Sequence, residues 1–532
     1  MLFQTIPFFV FFALVFSAYW ALQKQLVWQN RLLLLASYVF YGWWDVRFLV
    51  LIVGGTAFAY ILTPAVAGRA LPRRQLLEGL ALTLAGALVS FLPDVANGWR
   101  YLAATLAAMG VSTAIVLGLD RVTDPERRAR LALTIGTIAL LLLIGIFKYF
   151  NFFADSFVRV TSLFGGDVTW TTANIVLPVG ISFFTFQIIG YLVDVRRGDF
   201  PPSASILTFA SFIAYFPQLV AGPIERASHL YGQFLKPRRI TAEGLRSGAL
   251  LFLWGMYKKV VIADNLAPIT NDIFGRASTA TTGELLVGII AFAFQIYGDF
   301  SGYTDMARGI ARMMGFELML NFKLPYFSRT PSEFWTRWHI SLSSWLRDYL
   351  YISLGGNRGS TLMTYRNLFL TMLLGGLWHG ASWTFVLWGA FHGFILVAYR
   401  LADVDRRVMP TVNGWMKTNP VAGLAANGVL VAIMFALTLL GWLFFRAPDM
   451  ATVGHYLTGM FSGFDLRAED WGKLAFYTVP LILVQCWQRW TDKLEFLAES
   501  SPFVRLNMVL FLVFSLIFFA PNESSDFIYF AF

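Results

Sequence analysis

Five histidines occur in the chain, at His229, His339, His379, His392 and His455, and two of them sit where an imidazole could act as a catalyst. His379 lies in Leu374-Gly-Gly-Leu-Trp-His-Gly380, within a hydrophobic hairpin where Gly376 and Gly380 form a small-xxx-small pair that lets neighbouring helices approach closely. His339 lies in Trp335-Thr-Arg-Trp-His-Ile-Ser-Leu-Ser343, and its helical spacing from Trp335, Leu342 and Leu346 places it on the apolar side of one helix. Burial disfavours the imidazolium, so either ring is expected to be neutral at about pH 7, the form that can take a proton from a hydroxyl. A buried histidine can equally satisfy a buried carbonyl, and for His229, His392 and His455 that packing reading is preferred.

Competing chemistries find little support. There is no Gly-x-Ser-x-Gly elbow, no His-Glu-x-x-His zinc helix, no Walker loop and no dinucleotide-binding fingerprint. The single cysteine, Cys486, sits in an apolar run, which rules out an intramolecular disulfide and a thiolate metal cluster. Asp299 and Asp305 flank Phe-Ser-Gly-Tyr-Thr beside an apolar run, where an unpaired carboxylate is costly; pairing with Arg308 or Arg312 is expected, not direct catalysis. The cluster Gly355-Gly-Asn-Arg-Gly359 could present backbone amides to a phosphate, but it matches no phosphate-binding motif and reads equally as a turn.

The elements that must position these residues follow from composition. With 57% hydrophobic and 14% charged residues among 532, the chain is far more apolar than a soluble protein. Runs at 7–22, 48–67, 131–150, 424–445 and 506–519 approach the length of a spanning helix, and 76–92, 102–119, 175–193, 206–220 and 381–398 add candidates that could be tilted or re-entrant. Unpaired amides are costly in hydrocarbon and the runs are too evenly apolar for barrel strands, so the fold is predicted as all-α and polytopic, with roughly a dozen membrane-embedded helices. The first segment lacks a basic flank and a cleavage site and is expected to remain as a helix.

Basic loops at Arg69, Arg73 and Arg74, and at Arg121, Arg127, Arg128 and Arg130, should face the cytoplasm, as should Arg196 with Arg197, 236–239, and Arg400 with Arg406 and Arg407. Both termini, including 527–532, then fall outside. The net charge of +10 comes from these punctuating residues, not from a basic domain, so no nucleic-acid partner is expected. No repeat, linker or soluble insert divides the chain, so residues 1–532 are expected to form one domain, with a motif-rich catalytic region at 204–400. In its middle, Trp335, Trp338, Leu342, Trp345, Tyr349 and Leu350 predict one interfacial helix along the cytoplasmic boundary. Lys236, Arg238, Arg239, Arg347, Arg358 and Arg366 could hold a donor's phosphates, with Arg347 and Arg358 taken as the binding candidates, although positive-inside bias accounts for the same charges.

Five ordered motifs, Phe216-Pro-Gln-Leu-Val-Ala-Gly-Pro223, Asp299-Phe-Ser-Gly-Tyr-Thr-Asp-Met-Ala307, Trp338-His-Ile-Ser-Leu-Ser343, Trp345-Leu-Arg-Asp-Tyr-Leu-Tyr351 and Gly376-Leu-Trp-His-Gly380, resemble the membrane-bound O-acyltransferase family. Leu354-Gly-Gly-Asn-Arg-Gly-Ser360 and Tyr365-Arg-Asn-Leu-Phe-Leu-Thr-Met-Leu-Leu374 are similar to its bacterial alginate O-acetyltransferase branch, and the match extends to the aromatic end at Phe527-Ile-Tyr-Phe530. A hairpin at 76–119 looks like an insertion relative to that branch. The resemblance implies tilted helices around a central passage in a bacterial inner membrane. It implies His379 as the invariant catalytic position and His339 as the second polar one. It also implies acetyl-CoA or another acyl thioester as donor substrate, with no permanently bound cofactor and no metal. The acceptor is expected to be an exopolysaccharide, or a periplasmic acetyltransferase partner that passes the group onward. A polytopic transporter or flippase is the rival class, since buried polar residues and broken helices also line substrate pathways.

Overall fold

The computed structural model describes residues 1–91, 95–165, 175–461, 463, 465, 467–521, 525, 527 and 528. The end expected outside the membrane falls largely beyond these, with 529–532 not among the described residues. Among the described residues the chain is helical and without strands, and seven helical stretches are long and apolar enough to cross a membrane. The all-α, polytopic expectation therefore holds. The chain divides into two compact units, one of residues 1–248 with 310–319 and one of residues 249–309 with 320–532.

In the first unit the organising element is the helix Leu49–Val66 (α1), buried along most of its length. The helices Arg73–Phe91 (α2), Pro125–Ile144 (α3) and Ile181–Arg197 (α4) pack around it. Close approach to α2 depends on Gly79, where a Cβ would lie 2.5 Å from the Ile61 side chain. The start of α2 is tied down by Gln75, whose amide donates to the Tyr60 carbonyl at 2.6 Å, while the Tyr60 hydroxyl donates to Glu78 at 2.8 Å. The Val95–Asp120 helix follows α2 and carries mostly exposed apolar side chains, as a lipid-facing helix would.

The apolar run at 206–220 does not form one helix. It splits into Ile206–Ala214 and Phe216–Leu219, because Tyr215 leaves helical geometry (φ −56°, ψ 112°) just ahead of Pro217. The backbone groups freed by the break are paired inside protein: Phe216 N–H donates to Ser37 Oγ at 3.0 Å, and the Phe212 carbonyl accepts from the amides of Gln187 and Gln218 at 2.9 Å each. Irregular backbone at membrane depth is tolerated only with such internal pairing.

The second unit contains most of the long helix Thr282–Met313 (α5), the hairpin Thr361–His379 (α6) and Trp383–Leu401 (α7), and the span Pro420–Arg446 (α8). Between α5 and α6 the expected single interfacial helix is absent. The chain instead forms short helices Pro331–Trp335 and Ile340–Trp345, then a wide turn of helix at Leu346–Tyr351. The interruption falls at His339, whose φ of +43° and ψ of 55° lie in the left-handed region. Periodicity alone could not show this break, since the apolar residues on either side keep helical spacing.

Candidate active site

His379 is the last residue of α6. The hairpin that holds it is closed by two glycines: a Cβ at Gly376 would meet Gly389 Cα at 2.9 Å, and one at Gly389 would meet the Met372 carbonyl oxygen at 2.5 Å. With only hydrogens there, α6 and α7 pack backbone to backbone, so the position of His379 relative to α7 is set by contact between rigid main chains more than by flexible side chains. Around its ring stand Trp378, Trp388 of α7 and Phe445 of α8, with centroids 5.0, 4.9 and 5.3 Å away and planes inclined by 82°, 80° and 71°. These edge-on contacts wall the imidazole and leave it 4% exposed.

His339 is fully buried, and its ring meets Phe300 of α5 at 4.7 Å and 85°. Burial pushes its imidazole down to about 3, so the ring is neutral across the physiological range. It also faces Trp378 at 6.0 Å, which places one tryptophan against both histidines. The two residues singled out from the sequence thus converge on a shared aromatic wall, although they are forty positions apart.

His392, one turn of α7 beyond Trp388, lies 4.7 Å from that tryptophan, 5.1 Å from Trp335, and stacked at 7° on Phe334. It is buried among these rings. The packing expectation fails for the other two: His455 is exposed, and His229, also exposed, shares a 2.8 Å contact with the buried Glu225 carboxylate, which raises its pKa.

The acidic pair required a correction. Asp299 is bound by Lys259 at 2.8 Å and accepts from Ile528 N–H at 2.7 Å. Asp305 pairs with Lys258 at 2.7 Å, with Arg308 further off at 3.7 Å, while Arg312 pairs with Glu317. Lys259 also holds Asp264 at 2.7 Å. Neighbouring residues of an α-helix cannot both face one partner, yet Lys258 and Lys259 are both buried toward α5 because the chain widens to π-helix at Tyr257–Ala263. The sequence reading missed this lysine pair, whose signal was two adjacent cations inside an apolar run. It also missed Phe300, Trp388 and Phe445, which aromatic abundance conceals.

Arg347 and Arg358 remain apart from the histidine wall in every described contact. Arg347 is exposed and pairs with Asp348 at 2.7 Å. Arg358 is exposed in a turn where Gly355, Gly356 and Gly359 take φ of 110°, 56° and 103°. Asn367 fastens this turn to α6 by donating to the Gly356 carbonyl at 3.1 Å, and Arg366 donates to Asn367 Oδ1 at 2.9 Å. Arg238 leaves the set of donor-phosphate candidates: it is buried in the first unit, donating to Tyr19 Oη at 2.5 Å, Asn30 Oδ1 at 2.7 Å and Gln29 Oε1 at 3.2 Å. Among the described residues no group of three or more His, Cys, Asp or Glu is arranged to hold a metal.

Residues 200–442, which include both histidines, match the membrane-bound O-acyltransferase family. The chain is 40% identical over 462 residues to a probable alginate O-acetylase of Pseudomonas aeruginosa, covering 87% of this chain and 75% of that protein. It is 32% identical over 485 residues to the peptidoglycan O-acetyltransferase of Helicobacter pylori, covering 85% and 78%. A teichoic acid D-alanyltransferase of Streptococcus thermophilus is 29% identical over 293 residues, covering 51% and 68%. A buried histidine pair in a helical membrane scaffold, together with identity over most of the chain, has one conclusion: the protein is a multi-pass O-acyltransferase belonging to the membrane-bound O-acyltransferase family.

Proposed function

We propose that the protein takes an acetyl group from a thioester on the cytoplasmic side of a bacterial inner membrane, acetyl-CoA being the donor, and delivers it for O-acetylation of an exopolysaccharide or other cell-surface polymer. The observation that carries this reading is the contact that neutral His339 and His379 both make with Trp378. In this scheme the acceptor hydroxyl donates its proton to the His379 imidazole as its oxygen attacks the thioester carbonyl. The new C–O bond forms, the C–S bond breaks, and the imidazolium returns the proton to the departing thiolate. His339 orients the reacting groups. The aromatic walls exclude water that would otherwise hydrolyse the thioester.

Arg358 and Arg347 are the proposed holders of the donor's phosphates, both being exposed cations and Arg358 lying within the glycine turn. The acceptor is assigned by likeness: the relatives named above are a probable alginate O-acetylase, a peptidoglycan O-acetyltransferase and a teichoic acid D-alanyltransferase, and the first two names point to a hydroxyl of a cell-surface or exported polymer. A periplasmic acetyltransferase partner could receive the group first. Mass spectrometry of the surface polymer from cells with and without the protein identifies the final acceptor, since a lost acetyl ester names the polymer, and transfer to purified polymer in the absence of any partner tests whether the delivery is direct.

The residue roles are tested in proteoliposomes supplied with labelled acetyl-CoA. His379→Ala is expected to lower transfer by at least about 100-fold, the usual scale for a lost general base, with unchanged folding and insertion. His339→Ala is expected to lower it less. Retention of wild-type transfer by folded His379→Ala protein excludes the base role.

A further inference from the structure

The left-handed backbone of His339 needs something to hold it. Such a conformation is uncommon for a residue with a Cβ and persists only where the surroundings over-determine it. The two residues after His339 are both fastened to Asn321: Ile340 N–H donates to the Asn321 carbonyl at 3.0 Å, and Ser341 N–H donates to Asn321 Oδ1 at 3.2 Å. Two positions on, Lys323 N–H donates to the Arg337 carbonyl at 2.9 Å, so the strap has a bond on each side of His339. Asn321 is itself fully buried. These bonds also satisfy amides at the start of helix Ile340–Trp345, the groups that a helix cannot pair within itself. Any residue here keeps the backbone bond to Ile340, but only a side-chain acceptor at this reach makes the bond to Ser341, which an aliphatic residue loses.

We propose that Asn321 is a positioning residue for acyl transfer, setting the direction of the His339 ring by clamping the backbone on its C-terminal side. The proposal rests on His339 taking part in the reaction, as argued above. Asn321 acts through His339 and does not touch substrate. An error of about 1 Å in a reacting group can cost about 100-fold in rate, so loss of the clamp lowers kcat without weakening donor binding.

The test is a double-mutant cycle in proteoliposomes with labelled acetyl-CoA, reading kcat and KM for wild type, Asn321→Leu, His339→Ala and the double variant. Asn321→Leu, close to isosteric but without an acceptor, is expected to lower kcat by about 10- to 100-fold with KM for acetyl-CoA within about 2-fold. In the His339→Ala background the same change is expected to cost less than about 2-fold, because the group it serves is gone. Asn321→Asp, which keeps the accepting oxygen, is expected to recover most of the loss. Equal factors in both backgrounds, or an Asn321→Asp variant as inactive as Asn321→Leu, overturn the proposal. If Asn321→Leu does not yield folded protein, Asn321→Ala, which also lacks a side-chain acceptor, replaces it in the cycle with the same criteria. Full activity in His339→Ala defeats the role of His339 itself, and is read separately from the behaviour of Asn321.

Discussion

The histidines show how far residue chemistry alone can separate a reactive group from a packed one. His339, His379 and His392 are all buried among aromatic rings, and no burial threshold distinguishes them. Shared tryptophans do not separate them either, since Trp378 touches both His339 and His379 while Trp388 touches both His379 and His392; only the parallel stacking on Phe334 is particular to His392. The sequence separated His339 and His379 from the rest by their surroundings of glycine, tryptophan and serine, but could not show that one tryptophan would bridge them. It also could not show which cations were available to a ligand. Arg238 reads as one of three basic residues in a loop, yet it is buried and fully occupied by Tyr19, Gln29 and Asn30. His229 carries a prediction at this scale. The Glu225 hydrogen bond raises its pKa in the folded protein above the ordinary value of about 6.5. The folded state therefore binds the proton more tightly than the unfolded chain, and the resulting stabilisation is complete below the unfolded pKa and lost as pH rises through the folded one. Glu225 also accepts from Met319 N–H at 2.6 Å, so the contact bears on the segment 310–319 of the first unit. Thermal unfolding in detergent is expected to show wild type above His229→Gln at about pH 6, with the gap narrowing by about pH 9. A gap that widens with pH refutes this assignment of charge.

Among the elements, the legible ones are the long apolar runs almost free of charge, whichever neighbours they meet. Leu49–Val66, Pro420–Arg446 and Pro502–Phe519 fall within a few residues of the apolar runs that predicted them. Thr282–Met313 was not among those runs, because Asp299, Asp305 and Arg308 interrupt its hydropathy; within the fold these charges meet Lys259, Lys258 and Glu495. A sequence window counts a charge without its partner, so the helices that hold buried ion pairs are the ones it loses. The break at His339 escaped for a different reason, since its cause is Asn321, eighteen residues away. The α6–α7 hairpin was readable because its close packing is written in glycine. Its prediction follows directly: Gly376→Val places a branched side chain where the Gly389 backbone already stands 2.9 Å from the first added carbon. The helices must separate, at a cost of about 1–3 kcal/mol of stability, and His379 moves with the end of α6. Gly376→Val is therefore expected to lower both the unfolding temperature and transfer activity, whereas Gly428→Val, at a site with open space around it on α8, is expected to change neither by much. Wild-type activity in folded Gly376→Val protein shows that close packing does not position the histidine.

At the scale of the whole molecule, the proposed transfer starts on one side of the bilayer and finishes on the other, so the direction of insertion decides which substrate meets which face. The first unit supplies an internal check on that direction. Arg69 after α1, Asp124 to Glu126 before α3, and Arg196 with Arg197 at the end of α4 all line one cavity of about 710 Å³. Three loops distant in sequence thus lie at the same end of this unit, and all three carry the arginines that positive-inside bias assigns to the cytoplasm. Were the charges scattered between both ends, the bias would have given no orientation. With Arg69 inside and each of Leu49–Val66, Leu26–Asp45 and Ile6–Ala21 counted as one crossing, the amino terminus is expected outside, with Lys24 inside and Arg47 outside. Cys486 is exposed, so labelling requires a Cys486→Ser background. In that background a membrane-impermeant maleimide added to intact cells is expected to label Arg47→Cys, and to label Lys24→Cys and Ala70→Cys only after the membrane is opened. Labelling of Ala70→Cys in intact cells reverses the insertion. The arginine-lined cavity and the thioester pool would then lie on opposite sides, and the donor would have to be sought outside the cytoplasm.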